Sequence, residues 1–215
     1  MGTATLQSNH EELAALTSGL RVNIGCGTSV ADGWYNIDNS PTIPLSRIPF
    51  ARRLLRIPAW PQDVHRHNAL KGLPFSDGSV DFIYSSHTFE HFTYDQSLAL
   101  ARECFRVLKL GGLIRIAVPD LEQLVRDYLQ DRDPMASHRF VSRLLLAHTW
   151  RDFLHQGAHH SQMFDTRSLL AMLKAAGFPD PRPSRFRDSR IPGVFEVELE
   201  SRRNESLYVE AEKRS

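Results

Sequence analysis

The stretch Leu20-Arg21-Val22-Asn23-Ile24-Gly25-Cys26-Gly27-Thr28 decides how the rest of the chain is read. Leu20, Val22 and Ile24 form a short apolar, β-favouring run that stops at Gly25-x-Gly27, the pattern of a buried strand opening into a tight glycine turn. Such a turn lets a ligand approach the backbone closely. A second run, Trp34-Tyr35-Asn36-Ile37, ends in Asp38, which sets a carboxylate at the tip of the neighbouring strand. Together they form a nucleoside-site pattern at the carboxyl edge of a parallel sheet: glycines admit the ligand and the acid accepts hydrogen bonds from ribose hydroxyls.

What is missing narrows the nucleoside. A dinucleotide fingerprint wants a third glycine at position 30 and a full helix whose N-terminus faces pyrophosphate. Here position 30 is Val30, and Thr28 to Gly33 is too short and turn-rich for more than a turn of helix. Without that helix the positive dipole end that favours phosphate is lost. The pattern suits an adenosine ligand without phosphates, of which S-adenosylmethionine is one, better than NAD.

Working outward, 215 residues with 41% hydrophobic content suffice for a single domain with a proper core. Lys plus Arg, 26, nearly cancels Asp plus Glu, 25, so no global field calls for nucleic acid. The two cysteines, Cys26 and Cys104, make neither a disulfide framework nor a zinc pattern. With no leader or membrane-spanning run, a cytoplasmic protein is expected.

Ser8 and Glu11 have capping-box spacing, and Leu13, Leu16 and Leu20 form a stripe, so a helix is expected over residues 1–19, ending near Gly19. Residues 41–66 are proline-rich and contain the basic amphipathic piece Phe50-Ala51-Arg52-Arg53-Leu54-Leu55-Arg56-Ile57. It reads as a crossover helix with a solvated basic face; the sharper readings are a lid or weak contact of residues 50–57 with a membrane surface. Val64 to Ala69 reads as a third strand and Val80 to Ser85 as a buried fourth, ending at Ser86-His87-Thr88-Phe89-Glu90-His91. A helix capped by Asp95 runs to about Lys109 with Gly111 at C′, followed by the strand Leu113 to Val118 and then Pro119-Asp120. Alternating strand and helix implies right-handed crossovers and a parallel sheet wrapped by helices.

Asn23-Ile24-Gly25-Cys26-Gly27, Asp38, Asn68-Ala69, Leu73-Pro74-Phe75-x-Asp77-Gly78-Ser79-x-Asp81, Glu90-His91 and Leu108-x-Leu110-Gly111-Gly112 resemble, in order and spacing, the motifs of class I S-adenosylmethionine-dependent methyltransferases. The nearest flavour is the type 11, ubiquinone-methyltransferase-like group acting on small molecules. The resemblance implies an α/β, Rossmann-like, mostly parallel sheet flanked by helices and closed by an antiparallel C-terminal hairpin. It implies S-adenosylmethionine as cofactor. Gly25, Cys26 and Gly27 would pass under the methionine moiety, Asp38 would hold the ribose, Asn68 and Ala69 would meet adenine, and Ser86 and His87 would line the sulfonium. Asn23 stands where the family has an acid, and would orient the methionine amino group through its carbonyl without bringing charge.

Residues 131–165 read as an inserted helical cap that recognises the acceptor, including a helical run Phe140 to Trp150 and the histidines His138, His148, His155, His159 and His160. His155 and His159 are four apart, but Gly157 lies between them and no carboxylate is near, so no metal site is expected. Phe195 to Glu200 and Leu207 to Ala211 alternate with period two and read as the closing hairpin, its outward glutamates guarding the edge. His87, His91 and Asp120, near strand ends, are the candidate general bases for a hydroxyl acceptor, with His160 a fourth. The expected function is methyl transfer to a small molecule, with a slight preference for a hydroxyl of a sugar, glycan precursor or phenolic intermediate. A non-catalytic adenosine-binding interaction module is the alternative.

Overall fold

The computed structural model describes residues 19–145 and 160–214. The helix expected over residues 1–19, the far half of the run Phe140 to Trp150, and His148, His155 and His159 fall outside the described residues apart from Gly19 itself. The elements are β1 (Arg21–Ile24), β2 (Trp34–Asp38), α1 (Thr42–Ser46), α2 (Pro49–Leu55), β3 (Val64–Arg66), β4 (Val80–Ser86), α3 (Tyr94–Val107) and β5 (Leu108–Pro119). They continue with α4 (Leu121–Gln130), α5 (Ala136–Leu145), α6 (Thr166–Ala176), β6 (Arg182–Ser184), α7 (Val194–Val197) and β7 (Ser206–Glu212).

The strands form one seven-stranded sheet ordered β3-β2-β1-β4-β5-β7-β6. β1 to β5 run parallel, and β7 lies antiparallel to both β5 and β6. This is the Rossmann-like, mostly parallel sheet with an antiparallel closing hairpin. The order turns at β1, with β2 on one side and β4 on the other, so a crevice opens where their carboxyl ends diverge.

The two sheet faces are chemically different. Val22, Ile24, Ile83, Ile114, Ile116 and Val209 point into the main core, where α3 and α6 pack on them. Leu169, Met172 and Leu173 of α6 are fully buried there, each contributing about 1.5–3 kcal/mol over an exposed position. The opposite face carries Arg21 and Asn23 of β1, Asn36 of β2 and Arg115 of β5 beside Trp34, Tyr84 and Leu113. No helix follows β1, since residues 25–33 are turns and loop. The cover comes instead from Ile191, Val194 and Val197.

Several local expectations are corrected. Phe195 to Glu200 is not a strand: Gly193 (φ +73°) opens α7, because Val194 and Val197, three apart, both bury against Trp34, Tyr84 and Leu113. Glu198 is no edge guard but is buried, and it pairs with Arg115. The strand that closes the sheet on β7 is β6, whose Pro183 lacks the N–H that a further strand would use. The cap of α3 is Thr93, in a reciprocal box with Gln96, and not Asp95. Gly111 lies within β5 (φ +80°), because the chain turns extended at Leu108 directly after the helix. Lastly, β3 stops at Arg66, and Ala69 begins a 3-10 turn.

Candidate active site

A cavity of about 780 Å³ opens at the carboxyl ends of β1, β2 and β4, within the range of small-ligand sites. Its floor is the glycine turn. Gly25 and Gly27 both have positive φ (+69° and +57°), and a Cβ on Gly25 would stand 2.0 Å from Thr88 Oγ1, so no other residue fits there. The amides of Gly25 and Cys26 donate to Ile37 O at 2.8 and 3.2 Å. The turn is thereby tied to the end of β2.

Asp38 completes the tie. Its Oδ2 accepts from Gly27 N at 3.0 Å and its Oδ1 from Ser40 N at 2.8 Å. A carboxylate has about four acceptor sites, so both oxygens retain capacity for a ligand's hydroxyls. Burial pushes the Asp38 carboxyl above the usual aspartate range, opposed by the N–H groups of Ser40, Gly27 and Asn39. Cys26 lies in the same turn, and burial and the Asp38 charge push its thiol far up, which rules it out as a nucleophile at neutral pH.

Asn23 faces the cavity from β1, but its amide nitrogen is engaged in bracing. It donates to Asn36 Oδ1 at 3.1 Å and Ser29 O at 3.3 Å. Asn36 in turn donates to Trp34 O and Asp63. This network holds the shortened loop after β1 in the place a helix would otherwise fill.

Ser86 and His87 also line the cavity. His87 has φ +51°, a conformation costing about 1–3 kcal/mol outside glycine. It is held there by its amide on Ala117 O (2.8 Å), by Nε2 against Ser206 Oγ (2.8 Å), and by Nδ1 at 3.3 Å from Glu90. Asp120 reaches the cavity wall too, but its carboxylate caps α4, accepting from Gln123 N at 3.1 Å. Asn68 and Ala69 are not among the lining residues. Asn68 Oδ1 instead accepts from Leu70 N at 3.0 Å and caps the 3-10 turn.

The cavity also brings together titratable residues from distant parts of the chain. Glu90, His91 and His160 all line the cavity. Glu90 is fully buried, and among the described residues neither of its oxygens has a hydrogen-bond partner. The imidazoles of His91 and His160 lie 5.4 Å apart, centre to centre. Burial lowers the His160 pKa, against the raising influence of Glu90. Leu124, Arg143 and Met163 also line the cavity, as do Pro58 and Trp60 of the proline-rich segment and Leu199 and Arg202 of the C-terminal segment.

Residues 22–116 match the family model described as "Methyltransferase domain". A probable S-adenosylmethionine-dependent methyltransferase of Mycolicibacterium smegmatis is 38% identical over 61 residues, covering 28% of this chain and only 23% of that protein. Among solved structures, a SAM-dependent methyltransferase of Thermotoga maritima, described as a possible histamine N-methyltransferase, superposes with TM-score 0.53 and 20% identity over 94% of this chain and 88% of that one. A SAM-dependent methyltransferase of Methanosarcina mazei gives 0.53 and 20% over 92% and 93%. At such identities the structural likeness establishes the fold.

Proposed function

We propose, from the match of residues 22–116 to the methyltransferase-domain model and from the cavity beside it, that this chain transfers a methyl group from S-adenosylmethionine to a small-molecule acceptor. One observation carries the reading. The Gly25-Cys26-Gly27 turn and the Asp38 carboxylate, bonded to each other, form the floor of the cavity at the switch point of the sheet. Adenosine recognition needs these groups together, and the loop after β1 offers no helix dipole to pyrophosphate.

The cavity fits the cofactor by its own chemistry. The glycine turn admits ligand atoms against the backbone, and the remaining lone pairs of Asp38 accept from ribose hydroxyls. Asn23, braced through its amide nitrogen, turns toward the methionine end. When bound, S-adenosylmethionine supplies a methyl group on an already electrophilic sulfonium. The residues then have two tasks, to hold the acceptor atom in line and to take its proton.

The acceptor end of the reading is the cluster of Glu90, His91 and His160. Of the candidate bases, His87 shares its Nε2 with Ser206 and Asp120 caps α4; the one assigned here to the acceptor is His91, which lines the cavity beside His160. A hydroxyl acceptor, such as a sugar or a phenol, suits bases of this kind. Within the range 131–165 that the sequence marks as a cap, the described residues Arg143, His160 and Met163 contribute to the cavity wall, which supports the reading of that segment as the part that meets the acceptor.

The test is calorimetric titration of the protein with S-adenosylmethionine, its demethylated product and NAD. Binding of the first two, abolished by Asp38→Ala, with NAD inert, is the expected result. A folded protein that binds neither sinks the enzyme reading. Binding without turnover across hydroxyl acceptors favours the non-catalytic module.

A further inference from the structure

We infer that Glu90, His91 and His160 form a binding site for a divalent first-row transition-metal ion at the acceptor end of the cavity. One ligand atom from each lies within 4.8 Å of those of the other two. Two imidazoles and one carboxylate are a donor set for zinc or ferrous-type ions; magnesium and calcium prefer oxygen ligands throughout.

Glu90 is the strongest reason. A fully buried carboxylate with no hydrogen bond on either oxygen is costly unless a cation compensates it. Among the described residues the cationic candidates around it are imidazoles: His87 Nδ1 at 3.3 Å and His160 Nε2 at 4.0 Å from Oε1, with His91 adjacent in the chain. The side chain of Arg115, by contrast, is committed to Glu198.

The site is also built in advance. Residues 160–162 are stapled to the 3-10 turn Phe89–His91: the amides of Ser161 and Gln162 donate to Glu90 O at 2.8 and 3.2 Å, and Ser161 Oγ donates to His91 O at 2.9 Å. Gln162 Nε2 further reaches Ser97 Oγ at 2.7 Å, whose hydroxyl donates to Phe89 O at 2.9 Å. His160 Nδ1 lies 3.2 Å from Leu144 O, so Nδ1 carries the proton toward that carbonyl and Nε2 presents its lone pair to Glu90. This carbonyl contact is the outer-shell partner that metal-binding histidines use. Three protein ligands leave positions open to the cavity, as in sites that act on substrates.

An ion there would bind the acceptor's hydroxyl oxygen and lower its pKa, so that the proton passes to solvent water in the cavity; with its lone pair on the ion, His91 would then hold the ion in place of taking the proton itself. This last role rests on the methyl-transfer reading; ion binding does not.

The test is titration of chelator-stripped protein with Co²⁺, followed by its visible absorption and by competition with Zn²⁺. One equivalent should bind, with affinity falling at least tenfold in Glu90→Gln and in His160→Ala, while the exposed His138→Ala is unchanged. Equal binding in all variants would mean that other histidines hold the ion, and absence of binding in the wild-type protein would equally overturn the inference. Unfolding curves accompany each variant, and His91→Ala replaces Glu90→Gln if that buried change prevents folding. S-adenosylmethionine titration of the same variants separates the two readings, since cofactor binding at Asp38 should survive the loss of the ion.

Discussion

Arg115 is the residue whose replacement tests most directly how this fold holds its second sheet face. It sits in the middle of β5, fully buried. Its Nε donates to Glu198 Oε1 at 2.6 Å, Nη1 to Ser184 Oγ at 2.6 Å and Asp188 O at 3.0 Å, and Nη2 to Arg185 O at 2.7 Å. The guanidinium also lies 5.1 Å from the centre of the Tyr208 ring. Arg115→Met keeps length and removes charge, leaving Glu198 buried without its cation and two carbonyls without a donor. Breaking one side of a buried ion pair costs about 3–5 kcal/mol, a large part of the roughly 5–15 kcal/mol that stabilises a domain. The second variant, Arg115→Met with Glu198→Leu, removes both charges, so about 2 kcal/mol or more of that loss should return. Urea unfolding of the wild type, both singles and the double, with slopes compared, measures the coupling. A single variant within about 1 kcal/mol of wild type, or strictly additive effects, would refute the reasoning. The loss should also be felt in the cavity, because Val197 and Leu199 flank Glu198 and line it: the apparent KM for the acceptor should rise in the single variant and recover in the double.

Asp38→Asn should weaken S-adenosylmethionine binding about 10- to 100-fold, the equivalent of losing about 1.5–3 kcal/mol of charge-assisted hydrogen bonds, as read by calorimetry; unchanged affinity would remove Asp38 from the site. The pH dependence follows from the same group. Its carboxyl is raised by burial, so the carboxylate that accepts from the ribose is lost, and affinity falls, at a pH above the ordinary aspartate range, whereas Asp38→Asn stays flat there. In the free protein the sign is opposite: a raised acid binds its proton more tightly folded than unfolded, so this group's contribution to stability grows as pH falls through the folded pKa. Gly25→Ala should abolish cofactor binding and lower the melting temperature, because the new Cβ meets Thr88 Oγ1 at 2.0 Å in a positive-φ conformation; wild-type binding by that variant would contradict the turn geometry. Cys26 should react with a thiol reagent only as the protein unfolds, since burial keeps it protonated; fast modification of the native protein at neutral pH would contradict its placement.

How far the sequence foretold all this depends on how local each feature is. The strand-to-glycine turn and Asp38 at the end of β2 are decided within a few residues, and each reads from its own neighbourhood. Glu90 meeting His160, and Arg115 meeting Glu198, are joined only by the fold; periodicity states which face of a strand is apolar but not which distant side chain will cover it. One signal was nevertheless present. An arginine inside the apolar run Leu113 to Val118 demands an acid brought to it, and the glutamates of Phe195 to Glu200 were at hand, although their alternation argued for a strand. The absent helix after β1 explains why the acid arrives there. With residues 25–33 too short to cover the sheet, Arg21, Asn23, Asn36 and Arg115 would face water or an empty space. The C-terminal segment therefore fills that place, bringing Val194 and Val197 to the apolar part and Glu198 to the charge. In doing so it also carries Leu199 and Arg202 to the cavity wall. The short loop after β1, the buried ion pair and the C-terminal side of the candidate site thus belong together, since the segment that covers the sheet in place of a helix is the one that carries Glu198 to Arg115 and Leu199 to the cavity.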